Sequence, residues 1–264
     1  MTGTLKLARL LGAGFSMSLR RELAYRGHLL FRVLLTVVGL GTSLAALQMV
    51  FTRTATLGGW RVGEAVALLG TFQVVSGLRE TFVEPNMEWF GSQIHDGRLD
   101  GTLVQPAPAI FLASLGSCAP LALTQSLLGT GLVAVGLHQV GAVPSAPAVL
   151  GWLVLLGAGL AVAWAGRVVL ACLAFWAPRI QLDIVYNSLW QLARYPVDVY
   201  RRPLRLVLTY VVPVALIATL PTATLVRAAS LSLVPAAAGL ALGAVAAAAL
   251  VWRAGLRRYA SATS

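Results

Sequence analysis

An all-α integral membrane protein is the fold class this sequence predicts, and three observations predict it. The 264 residues are 58% hydrophobic and 11% charged, with a mean hydropathy of +0.81, where a soluble domain carries about 25% charged residues. From Gly101 to Gly166 no Asp, Glu, Lys or Arg occurs. The arginines that make the net charge +11 sit at the borders of apolar runs. That placement follows the positive-inside rule and anionic leaflets, and it argues against a nucleic-acid surface, which needs its bases gathered on one face.

The first element, about residues 4–26, mixes Leu5, Leu10, Leu11, Phe15 and Leu19 with Lys6, Arg9, Arg20, Arg21 and Arg26. It reads as an interfacial helix with its apolar side in lipid; a frayed basic terminus is the alternative. The basic residues ahead of the first span put the N-terminus in the cytoplasm. Residues 33–52 are uncharged and long enough for a ~30 Å hydrocarbon core. A short loop with Gly58-Gly59 leads into a second span, about 62–80, with Glu64 near its outer end.

A polar segment, about 84–106, follows and separates two hydrophobic halves. With Glu80 just upstream, it holds five of the nine acidic residues: Glu80, Glu84, Glu88, Asp96 and Asp100. Ionised groups cost at least ~2.5–3.5 kcal/mol at mid-bilayer, so the segment lies outside the lipid, on the cytoplasmic side. Glu80, Glu84 and Glu88 share one face if the helix continues; Pro85 is placed to bend it instead.

Pro106 and Pro108 open a third span, about 107–137, and the turn from His138 to Pro147 leads to a fourth, about 149–175. Arg167 is embedded in the fourth, roughly 12–15 Å from its inner end, too deep to snorkel fully, so it requires a partner or polar cavity. Residues 180–200 and 206–226 compete for the fifth crossing. Charge counting favours 206–226, whereas Pro213 and Pro221 favour a broken, re-entrant pair there, and the residues alone leave both open. A final span, about 229–252, precedes Arg253, Arg257 and Arg258. Six spans with both termini cytoplasmic satisfy the inward bias of positive charge.

Little in the chain suggests catalysis. Cys118 and Cys172 lie in apolar segments without metal spacing and read as small core residues. The carboxylates around Glu84 lack the Glu-x-x-His of di-iron bundles and read as solvated, so no metal is expected. His28 and His138 have no triad company. Asp183, Asn187, Gln191, Arg194 and Asp198 recur at helical spacing and form one polar stripe. It lines a passage in one reading, with Asp183 attracting a cation or pairing with Arg167; in the other it is internal pairing, or an interfacial helix. An ion-coupled secondary transporter would show a broken helix in both halves, but the Pro213 break has no counterpart. An intramembrane lipid-modifying enzyme would need a convergent acid/base group, and only the loop carboxylates approach that.

Three stretches carry a resemblance: Gly97-Arg98-Leu99-Asp100-Gly101-Thr102-Leu103-Val104-Gln105-Pro106; Arg194-Tyr195-Pro196 continuing through Pro203-Leu204-Arg205 to Val212-Pro213 and Pro221; and Trp252-Arg253-Ala254-Gly255-Leu256-Arg257-Arg258-Tyr259. In this order and spacing the chain resembles the permease subunits of type-2, export-class ABC transporters, nearest to the viologen-exporter-like branch. The resemblance implies residues 180–197 as the fifth span and 203–225 as a re-entrant pair on the outer face, with Arg201, Arg202 and Arg205 outside, against the charge bias. It also implies a coupling helix between spans two and three that presents Trp89, Phe90, Ile94, Asp96, Gly97, Arg98 and Asp100 to an ATPase. Asp183, Asn187, Gln191, Arg194 and Arg167 would line the translocation path. Lys6 is the only lysine, and no G-x-x-x-x-G-K-[ST] surrounds it. ATP and Mg are therefore expected on two copies of a separate ATPase subunit, with no cofactor here. A second permease, identical or related, and membrane lipids complete the expected partners, in the plasma membrane.

Overall fold

A seam of small residues sits at the centre of the fold. The computed structural model describes residues 3–24, 26–88, 90–95, 97–177, 183–227 and 232–263. The chain opens with α1 (Gly3–Ala24) and α2 (Arg26–Phe51) and continues into α3 (Val62–Phe82). The polar segment folds as α4 (Glu84–Met87), α5 (Phe90–His95) and α6 (Leu99–Leu103). Then come α7 (Ala109–Leu115), α8 (Leu123–Val140), α9 (Ala146–Cys172), α10 (Asp183–Leu192), α11 (Arg202–Leu206), α12 (Thr219–Val226) and α13 (Leu233–Thr263).

On α3, Gly63, Gly70 and Gly77 recur every seven residues and meet Gly136, Gly129 and Ser126 of the antiparallel α8. A Cβ on Gly70 would lie 2.6 Å from the Val133 amide nitrogen and 2.7 Å from the Gly129 carbonyl oxygen. Helices in lipid gain no hydrophobic drive to associate, so close backbone approach and buried hydrogen bonds hold them. Ser126 Oγ donates to the Val74 carbonyl at 2.9 Å, and Gln125 Nε2 donates to Gln73 Oε1 at 2.9 Å. Seventeen of the 21 residues of α3 are buried. Gly141, at φ +70°, ends α8 with the Ala142 amide donating to the Leu137 carbonyl, a Schellman closure.

Four stretches among the described residues are long and apolar enough to cross a membrane: Leu29–Phe51, Pro120–Val140, Ala146–Phe175 and Leu233–Tyr259. Polar Glu64, Arg79 and Glu80 lower the apolarity of α3, which its neighbours shield. By contrast α2 leaves Leu34, Leu35, Val37 and Val38 exposed, as a lipid-facing helix does.

The segment read as one span at 107–137 is two helices. Between α7 and Pro120 the backbone is held by α4 and α3. Asn86 Nδ2 donates to the Ser117 carbonyl at 2.8 Å, Asn86 Oδ1 accepts the Ser117 amide at 2.7 Å, and the Ala119 amide donates to the Thr81 carbonyl at 2.8 Å. Pro120 has no amide to donate, so a continuous helix loses a bond there and the break is satisfied from outside.

Helix α1 is fastened as well as amphipathic. Its Glu22 accepts the Leu121 amide at 2.9 Å and pairs with Arg32 at 3.3 Å, while Phe15 stacks on Phe82.

Of the region expected at 180–197, residues 180–182 lie outside the described residues, and α10 has ten residues, ~15 Å of helix. The chain nevertheless runs the length of α3. Asp183 pairs with Arg167 beside Glu84, Trp190 Nε1 donates to Ser76 Oγ at 3.0 Å, and Asp198 accepts Trp60 Nε1 at 3.0 Å. Residues 202–227 begin and end near Trp60. Arg205 pairs with Asp198 at 3.4 Å, Arg227 with Glu64 at 2.9 Å, and between them Leu216 rests on Gly159 in the middle of α9. Residues 229–231 of the last expected span lie outside the described residues, and α13 carries on past 252 to Thr263.

Candidate functional site

Buried ion pairs converge where α3 ends. Arg167 is 2% exposed and Arg79 6%, so each must be compensated. Glu84, at the start of α4, lies between them: Arg167 Nε is 3.3 Å from Oε2, and Arg79 Nη1 is 3.1 Å from Oε1. Arg167 Nη1 also contacts Asp183 at the start of α10. The Arg79 guanidinium lies over the Trp190 ring, 4.3 Å from its centroid, and 5.4 Å from that of Tyr186. Tyr186 in turn donates to the Ala163 carbonyl at 3.1 Å. One carboxylate thus joins the polar segment to α3 and α9, and through Arg167 to α10.

The polar segment is keyed to the spans at two further points. Phe90, 1% exposed, packs with Phe175 at 5.9 Å and Trp252 at 5.6 Å, at the junction of α9 and α13. The Asn86 bonds to Ser117 are the other. Here the structure corrects the expectation that Phe90 is presented to a partner: it is a core residue, and Ile94 is partly buried against the same cluster. Trp89 and Asp96 lie outside the described residues. Gly97, at φ +69°, closes α5, with the Arg98 amide donating to the Gln93 carbonyl at 2.9 Å. Gly97, Arg98 and Asp100 are exposed, and so is Val104, at 84%. Phe90→Ala is expected to cost about 3–5 kcal/mol, read as a fall in the unfolding temperature of the detergent-solubilised protein.

The polar stripe that begins on α10 divides. Asp183 is half-exposed and paired; Asn187 and Gln191 are exposed; Arg194 is partly buried, its guanidinium 5.7 Å from the Phe72 ring centroid. Tyr186 and Trp190 fill the opposite, buried face. At the Trp60 end, Arg227 grips Glu64 through Nε and Nη2, at 3.1 and 2.9 Å, and Nη2 also donates to the Gly59 carbonyl at 2.8 Å. The Glu64 hydrogen bond raises the Arg227 pKa, keeping it charged. Sequence reasoning missed Arg79, Tyr186, Trp190 and Arg227 as parts of these clusters. An arginine beside an apolar run is the one signal they offered.

These features define a multi-pass, all-helical membrane protein with a structured polar segment locked to its spans. The family model described as "ABC-2 family transporter protein" matches residues 37–263, and the chain belongs to that family. It is therefore a membrane permease component of an ABC transporter, of a family whose members are typically non-enzymatic transport components and which implies partnership with an ABC ATPase. No curated protein and no solved structure matches the chain.

Proposed function

We propose that the chain is the permease subunit of an ATP-driven exporter, of the viologen-exporter-like branch. It works beside a second permease, identical or related, on two ATPase subunits that carry ATP and Mg. The observation that carries this reading is the threefold attachment of residues 84–106 to the spans. Glu84 reaches α9 and α10 through Arg167, Phe90 reaches α9 and α13, and Asn86 reaches the break before α8. A loop that only connected two spans would need none of these. Closure of the ATPases on ATP would push the exposed stretch around Val104 and transmit the displacement through rigid contacts, as packed elements do.

Six spans with both termini cytoplasmic accompany the proposal, with residues 180–197 as the fifth and 203–225 as a re-entrant pair. It is supported by the approach of Arg205 and Arg227 to one end and of Leu216 to Gly159. Exposed Asn187 and Gln191 on an otherwise apolar helix are poorly matched to lipid. They therefore face the route between two permeases, with Asp183, Arg167 and Arg194 behind them.

Val104→Asp tests the coupling. Co-purification with its partner ABC ATPase should weaken about tenfold or more, while the size-exclusion profile of the permease stays unchanged. Undiminished co-purification and transport would refute this docking surface.

A further inference from the structure

A recess of about 650 Å³ opens beside the buried ion pairs, within the ~300–1,000 Å³ range of small-ligand sites. It lies at the ends of apolar spans, where a bilayer places its headgroups. Arg32 lies in the first turn of the Leu29–Phe51 span, Ala119 precedes Pro120 of the next, Glu80 sits in the last turn of α3, and Glu84 and Glu88 follow it. Its lining carries both signs of charge, and the pairing within it is incomplete.

Glu84 and Asp183 are taken by Arg79 and Arg167. Glu80 and Glu88, which also line the recess, form no hydrogen bond or close ion pair among the described residues; Arg79 and Arg32 reach Glu80 only by longer-range attraction. On the other side, buried Arg79 has no hydrogen-bond partner for Nε or Nη1; its approach to Glu84 is ionic contact without hydrogen-bond geometry. Arg32 commits one guanidinium nitrogen to Glu22 and is otherwise half-open, leaving donors of its fork unused. A buried donor without an acceptor calls for an oxyanion, and two unpaired carboxylates at the same recess call for a cation.

We infer that this recess binds the phosphoethanolamine headgroup of a membrane phospholipid, its phosphate toward Arg32 and Arg79 and its ammonium toward Glu80 and Glu88. A basic pocket between spans selects anionic lipids; here Glu80 and Glu88 repel a second negative group. A choline headgroup offers no N–H to those carboxylates, whereas a primary ammonium offers three, as lysine does. The inference requires only that the chain spans a membrane, and it stands apart from the ATPase coupling proposed above.

Native mass spectrometry of the detergent-solubilised full chain, offered equal amounts of phosphatidylethanolamine, phosphatidylcholine and phosphatidylglycerol, reads the preference directly. Phosphatidylethanolamine should be retained about tenfold over the other two. The double variant Glu80→Gln/Glu88→Gln should bring it down to the phosphatidylcholine level, and Arg32→Gln should lower both. Should the double variant fail to fold, the exposed single change Glu88→Gln carries the test, with the preference reduced and the unfolding temperature unchanged. Excess soluble glycerophosphoethanolamine should not displace the lipid. Equal retention of phosphatidylethanolamine and phosphatidylcholine, or a preference that survives the carboxylate changes, overturns the site. Displacement by the soluble headgroup overturns the lipid as its source.

Discussion

Gly70→Leu is expected to abolish accumulation of folded protein in the membrane, and Gly70→Ala to destabilise it by about 2–3 kcal/mol. The reason is local and steric. A first side-chain carbon at this position already meets backbone atoms of α8 at 2.6 and 2.7 Å, and backbone cannot rotate away as a side-chain tip can. The helices must separate, which also pulls Ser126 from the Val74 carbonyl. Gly157 on α9 is the control, because nothing lies within 4 Å of a Cβ there. Gly157→Ala should leave the unfolding temperature unchanged or raise it slightly. Membrane accumulation of Gly70→Leu, with thermal unfolding of the two alanine variants in one detergent, distinguishes close packing from general glycine effects.

The second large effect is expected at Glu84. Glu84→Ala strands two guanidinium groups whose side chains are 7% and 3% exposed. Removing one partner of a buried pair costs about 3–5 kcal/mol, most of it the penalty of the charge left behind. Asp183 is 47% exposed on its side chain and can compensate Arg167 only in part. Glu84→Gln keeps the shape and loses the charge, so it should fall between wild type and alanine. Combining Glu84→Gln with Arg167→Met should cost less than the sum of the two single changes, since each removes the other's unpaired partner. Additive costs would mean that the two side chains do not act as a pair.

Much of the architecture was legible because lipid imposes simple demands. The membrane class follows from composition, and the apolar runs around 33–52, 149–175 and 229–252 stand out for length and absence of acid. The need of Arg167 for compensation was also visible, since a cation embedded in an apolar run requires a partner or a polar cavity. Its partner Glu84 was not, being 83 positions away in the chain. The break before α8 depends on Asn86, 31 residues from Ser117, and hydropathy carries no trace of such a bond. Phe90 was misjudged for a related reason: an aromatic residue on a short amphipathic helix looks the same whether its apolar face meets a partner or the protein's own spans. The seven-residue recurrence of Gly63, Gly70 and Gly77 was the one strong packing signal in the sequence left unread. Small residues at helical spacing mark close contact in membranes.

We propose above that residues 84–106 face the cytoplasm and receive the ATPase there. Val104→Cys, at a position 84% exposed in that segment, is suited to probe it, because both native thiols, Cys118 and Cys172, are buried. Labelling by a membrane-impermeant maleimide should occur in inside-out vesicles, be blocked when the ATPase subunit is co-expressed, and be absent in intact cells. Labelling of Val104→Cys from outside intact cells would contradict the account.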